Sequence, residues 1–145
     1  MVLVGELGLE EVVEYGGFKS LREIAQLIST IDLGLIPNRV NQFTRLNFPT
    51  RIFEFLAMNK PVLVTRTRGV RDYFAEDEIL YFDVEKADEL AGKIEWACRH
   101  PAELRSVVEK GRKVLERHCW ARESARFAGL VNDVIDQKAR ARRPG

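Results

Sequence analysis

Residues 47–65, NFPTRIFEFLAMNKPVLVT, decide how this chain is read. Pro49 suits the first position of a helix, where its missing N–H is no loss and its fixed φ is already helical. The spacing predicts a helix over 49–59, with Ile52, Phe53, Leu56 and Ala57 on one apolar stripe. Glu54 lies off that stripe, near the middle. PVLVT then follows as a short run with no polar alternation, the pattern of a strand buried on both faces.

The same alternation continues on either side. Upstream, DLGLIP at 32–37 is a second buried strand, stopped by Pro37, and NRVNQFTRLN is a polar loop. Ser20 with Glu23 makes a capping box, and Leu21, Ile24, Ala25, Leu27 and Ile28 recur at helical spacing, which predicts a helix over 20–30. EVVEYGGF reads as a strand ended by two glycines, and MVLVG as an abbreviated one. Downstream, RTRGV leads to a helical turn at 71–74, and EILYFD at 78–83 is a further strand. Three helical segments follow, divided by Pro101 and by Cys119 with Trp120. Apolar strands alternating with helices imply an α/β domain: a Rossmann-like open parallel sheet with helices on both faces and a C-terminal helical segment. The expected organisation is one domain over 1–138 and a basic tail at 139–145. In such sheets ligands bind beyond the carboxyl ends of the strands, here 16–20, 37–39 and 65–69.

Composition narrows the function classes. A net charge of +1 gives no electrostatic case for a nucleic-acid partner, and 46% hydrophobic residues suit a packed core. Cys98 and Cys119 lack zinc-ligand spacing and read as ordinary thiols. The start shows neither a signal peptide nor a membrane span, so a cytoplasmic location is expected. His100 and His118 sit at helix ends, where capping explains them, and AEDE at 75–78 reads as a solvated turn. Trp120 is expected to pack the last helix onto the sheet.

The chemistry concentrates on the helix at 49–59. Thr50 and Arg51 occupy its first turn, where free N–H groups and a guanidinium favour a phosphate. Glu54, one turn on, is placed to accept hydrogen bonds from two vicinal hydroxyls such as those of a ribose. The residues alone favour a solvated acid beside an arginine, and the functional reading needs something more specific.

The order of the pieces supplies more. A strand ending in Gly-Gly, a helix, TIDLGLIP, a polar loop, FPTRIFEFLAMNKPVLVT and a loop containing RGV resemble the carboxy-terminal domain of the retaining "group 1" GT-B glycosyltransferases, from about Leu7 to the last helix. The resemblance implies a domain that binds the nucleotide half of a UDP-, GDP- or ADP-sugar, with Glu54 as ribose clamp and Thr50 and Arg51 at the diphosphate. Gly17, Phe18 and Lys19 match where the family's backbone meets the base, although a plain strand-to-helix turn also describes them. The loop at 66–69 reads as structural, with Arg68 and Gly69 its candidate diphosphate contacts. No cofactor or metal is expected, since no Asp-x-Asp pair appears.

Two departures qualify the resemblance. Many members carry a donor-sugar Glu at the position of Leu46, and an Arg and a Lys near the first strand that nothing here matches. The family's acceptor side belongs to an amino-terminal domain with no counterpart in these residues. The sequence therefore reads as the donor half of a glycosyltransferase, inactive alone, prone to self-association through an exposed interdomain surface, with a parent that can sit at a membrane surface. The catalytic residue stays unassigned. Two rivals remain: a sugar-nucleotide 2-epimerase of the same fold, and a non-enzymatic flavodoxin-like or assembly module.

Overall fold

The computed structural model describes residues 2–141, which divide into two compact units, the first ending at Ile31 and the second beginning at Asp32. The first holds α1 (Val2–Glu6) and α2 (Leu21–Thr30). Helix α2 carries the expected capping box: the Glu23 N–H donates to Ser20 Oγ at 3.4 Å and the Ser20 N–H to Glu23 Oε2 at 2.8 Å. That network holds the Glu23 carboxyl below its usual range.

Both strands expected in this unit are absent. MVLVG is helical from Val2, and 11–18 form turns and coil, with the Val12 and Val13 N–H groups both donating to Leu9 O. A β-branched run becomes a strand only where a neighbouring strand receives its hydrogen bonds, and among the described residues 11–18 pair with none. Gly17 has φ +62, a left-handed conformation that favours glycine.

The second unit is built on a parallel sheet, β1 (Gly34–Ile36), β2 (Val62–Thr65) and β3 (Leu80–Phe82), in the order β1-β2-β3. Helices cover both faces, as the apolar runs require. Leu63, Leu80 and Phe82 pack with Ala97 of α5 (Ala87–Arg99), joined by Leu104 and Val107 of α6 (Pro101–Arg117). Val62, Val64 and Tyr81 face the other way, toward α3 (Arg51–Ala57) and α4 (Arg68–Arg71). Tyr81 Oη there donates to Phe74 O at 2.8 Å, and burial raises its phenol pKa.

Helix α3 keeps the predicted position with a different buried face: Ile52, Phe55 and Leu56 are buried, Phe53 is half-buried and Ala57 is exposed. Phe55 lies over Gly34, where an added Cβ would come within 2.9 Å of its ring. Loss of a side chain on β1 thus admits a ring from α3. The helix ends in a Schellman motif, with Asn59 at φ 57 and the Lys60 N–H donating to Phe55 O at 2.9 Å. Pro61 follows and begins the run into β2.

Helix α7 (Trp120–Ala141) differs from expectation. Trp120 is 83% exposed, because α5 and α6 already occupy the sheet face it was expected to reach. From 125 to 138 every residue of α7 is exposed, including Phe127, Leu130, Val134 and Ile135. The basic tail beyond Ala141 lies outside the described residues. Among the described residues no helix is long and apolar enough to cross a membrane.

Candidate functional site

Helix α3 begins at the carboxyl end of the sheet, delivered there by residues 38–48. The loop is ordered by its own side chains: Asn41 Oδ1 accepts from the N–H groups of Phe43 and Thr44 at 2.9 and 2.8 Å. It closes against α4, with the Gly69 N–H donating to Arg45 O at 3.1 Å. Phe48 then inserts its ring beside Tyr73 and Phe53, at centroid distances of 4.6 and 5.1 Å, so the entry to α3 and the end of α4 share one aromatic wall. His118 joins that wall through Tyr73, and its Nδ1 lies 3.0 Å from Glu123 Oε1. His100 Nδ1 lies 2.8 Å from Trp96 O. Both histidines have structural partners.

Glu54 is exposed on α3, opposite the buried Ile52 and Leu56, and its carboxylate is 4.0 Å from the Arg51 guanidinium. The two side chains are 49% and 63% exposed, so the pair is solvated and its attraction weak. Both are free to turn toward a ligand. Thr50 is the N-cap, with no side-chain capping bond. The helix starts with a tight turn in which the Ile52 and Phe53 N–H groups donate to Pro49 O and Thr50 O, each at 3.0 Å. Two donors that the sequence assigns to an anion are therefore engaged by the backbone.

The 66–69 loop is similarly specific. Thr67 caps α4 by accepting from the Val70 N–H at 3.4 Å. A Cβ on Gly69 would fall 2.7 Å from Asn47 O and 2.8 Å from Leu46 O, so only glycine lets the two backbones approach. Leu46 itself is exposed. Arg66 is held by Asp83 at 3.1 Å and by Glu76, with its guanidinium 4.9 Å from the Tyr81 ring centroid, and its pKa is raised chiefly by Glu76. Arg68 and Arg71 stay exposed on α4 and form no ion pair among the described residues. Arg71 is the member of this group that sequence reasoning missed. Its only signal was a place one turn after Arg68.

The acids of AEDE are tied down as well as solvated: Glu76 pairs with Arg66, Asp77 with Lys110 at 2.8 Å and Glu78 with Arg117 at 3.2 Å. The structure thus brings Thr50, Arg51, Glu54, Arg68 and Gly69 to one end of the second unit. Gly17, Phe18 and Lys19 belong to the first unit, where Phe18 is fully exposed. A larger hollow of about 640 Å³ opens at the opposite, amino end of the sheet, between Asp32, Pro61 and Leu104, and none of the predicted site residues line it.

Comparison with known proteins bears on this geometry. The fold matches Anabaena Alr3699/HepE in complex with UDP, with a TM-score of 0.79 and 19% identity over 90% of this chain and 35% of that one. HepE is also matched in complex with UDP-glucose, with the same coverage. Sucrose-phosphate synthase from Thermosynechococcus elongatus matches with a TM-score of 0.82 and 20% identity, over 94% of this chain and 33% of that one. The chain therefore spans about a third of the length of these structures. No curated protein sequence matches it. The glycosyl transferase-like family model matches residues 1–129, and the chain belongs to that family.

Proposed function

We propose that this chain is the donor-binding domain of a glycosyltransferase, holding the nucleoside diphosphate of a sugar nucleotide at the carboxyl end of its sheet. The observation that carries this reading is Glu54: a carboxylate on the exposed face of α3, one turn beyond Thr50 and Arg51, with no structural partner among the described residues except the solvated Arg51. A ribose offers two vicinal donors to that carboxylate, and the diphosphate meets Thr50 and Arg51. UDP and UDP-glucose in the HepE structures favour a uridine nucleotide among the three diphosphates. Positive groups there would stabilise the departing diphosphate, and the reading calls for no metal.

Transfer itself would require an amino-terminal domain to bring the acceptor, so the chain alone binds and does not catalyse. Its base contact, from Gly17 to Lys19, rests on the family resemblance. The exposed apolar strip of α7 supports self-association of the isolated chain. Cytoplasmic location and attachment of the parent to a membrane surface rest on the sequence alone.

Calorimetric titration with UDP, GDP and ADP tests the assignment. One diphosphate should bind, and Glu54→Ala should weaken it by about 1.5–3 kcal/mol, the range for hydrogen bonds to a charged group. The melting temperature should hold, because the side chain is exposed. Undiminished binding by the variant, or a variant that unfolds, would make Glu54 something other than a ribose clamp.

A further inference from the structure

We infer that Tyr73 and His118 are positioning residues for the α3 site: they hold the segment that enters α3, and they tie it to the first turn of α7. The inference rests on the donor-binding reading and extends it to what fixes the direction in which Arg51 and Glu54 project.

The entry to α3 has little of its own to hold it. The helix is only seven residues long, and Thr50 makes no side-chain capping bond. Just upstream, the Leu46 and Asn47 N–H groups both return to Phe43 O, at 3.4 and 3.2 Å, so they order the loop internally. The ring of Phe48 is the outward attachment. It lies 5.1 Å from Phe53, 6.3 Å from Phe74 and 4.6 Å from Tyr73. Phe53 belongs to α3 and moves with it, whereas Phe74 is fixed in the core at 2% exposure. Tyr73 closes the outer side of this group and is itself 41% exposed.

An aromatic ring on a surface keeps one orientation only if something backs it. His118 does this for Tyr73, meeting it edge to face with centroids 5.0 Å apart. The histidine is placed in turn from two sides. Its N–H groups the end of α6 by donating to Val114 O and Leu115 O at 3.1 and 3.2 Å, and its Nδ1 lies 3.0 Å from Glu123 Oε1. Glu123 stands in the first turn of α7, where its own N–H donates to Cys119 O at 3.0 Å. Side chains from three places in the chain thus form one row, Glu123 to His118 to Tyr73 to Phe48, which stops two residues short of Thr50. Loss of His118 would free Tyr73 to turn into solvent while Val70 and Phe74 stay buried behind it, so the site should suffer more than the fold.

The experiment is UDP titration of the full chain, followed by ¹⁵N–¹H chemical shifts. Tyr73→Ala and His118→Ala should each weaken UDP about three- to tenfold. Tyr73→Phe, which keeps the ring, should retain the parent affinity. In the parent, saturating UDP should also move the Glu123 and Ser124 amides, and in Tyr73→Ala it should leave them in place. Leu104→Ala, on the opposite face of the sheet, is the control: it should lower the melting temperature without changing UDP affinity, which separates positioning from general loss of stability. Without ligand, both alanine variants of the wall should shift the Arg51 to Glu54 amides. That arm judges the positioning role even where UDP fails to bind the parent, a result that would sink the donor-binding reading instead. Unmoved Arg51 to Glu54 amides in both variants, or UDP held as tightly by both as by the parent, would overturn the proposal.

Discussion

Replacing Gly69 by Ala tests how the site is assembled. Its φ lies outside the left-handed region, so alanine meets no conformational obstacle. Taken alone, the substitution should stabilise by about 0.4–1 kcal/mol by narrowing the unfolded ensemble. The packing acts the other way. The new methyl would lie 2.7 Å from Asn47 O and 2.8 Å from Leu46 O, and both are backbone atoms that cannot rotate aside. Overpacking of this kind costs about 1–3 kcal/mol, so the net loss should be about 1–2 kcal/mol. For a chain of this size that lowers the melting temperature by roughly 2–8 °C. Gly92, in α5 with nothing within 4 Å, is the control: its alanine variant should gain up to about 1 kcal/mol. Thermal melts followed by circular dichroism compare the two. UDP titration should show weaker binding for Gly69→Ala alone, because residues 46–47 lead directly into the α3 entry. If Gly69→Ala proved as stable as Gly92→Ala, the contact between α4 and this loop would not be what positions Thr50 and Arg51.

Two other outcomes follow from burial. The raised pKa of Tyr81 means that the folded state keeps its phenol proton after the unfolded chain has lost it, so stability is intact below about pH 10 and falls as pH rises beyond that. Tyr81→Phe should flatten that alkaline loss in denaturant titrations, while costing about 1–2 kcal/mol at neutral pH by leaving Phe74 O without its donor. The exposed stripe on α7 should drive concentration-dependent association of the isolated chain in sedimentation equilibrium, and Val134→Asp should abolish it; a parent chain that stays monomeric at high concentration would refute the role of the stripe.

The legible part of the fold was the part whose signal is local. VLVT and LYF are buried on both faces, so their composition alone marks them, and the Ser20–Glu23 box marks its helix for the same reason. EVVEYGGF carries a comparable β signal and fails because a strand also needs a neighbour, which is a non-local property. The buried face of α3 was misassigned for a related cause. Helical spacing permits Phe53 or Phe55 inside, and the choice is made by Gly34, far away in sequence. Trp120 is the same lesson inverted: a large apolar side chain suggests a core position, yet α5 and α6 had filled that face.

The position of Glu54 was readable because it depends only on the helix period, whereas its electrostatic setting was not. Sequence gives Thr50 and Arg51 the open first turn of a helix, with free N–H groups for an anion. The observed tight turn returns the Ile52 and Phe53 N–H groups to Pro49 and Thr50, and Gly69 likewise serves Arg45. Backbone donors are thus used to build the wall, and on the donor-binding reading a phosphate there would be met by side chains that extend from it. Arg51, the guanidinium at that turn, is exposed, so any attraction it has for an anion is screened by salt far more than that of buried amides. As a ribose clamp, Glu54 would act through hydrogen bonds to neutral hydroxyls, while its own charge would oppose a nearby diphosphate. On that reading the two side chains would play separate parts: Glu54 would set where the nucleoside sits, and Arg51 would set how strongly ionic conditions govern the binding of its diphosphate.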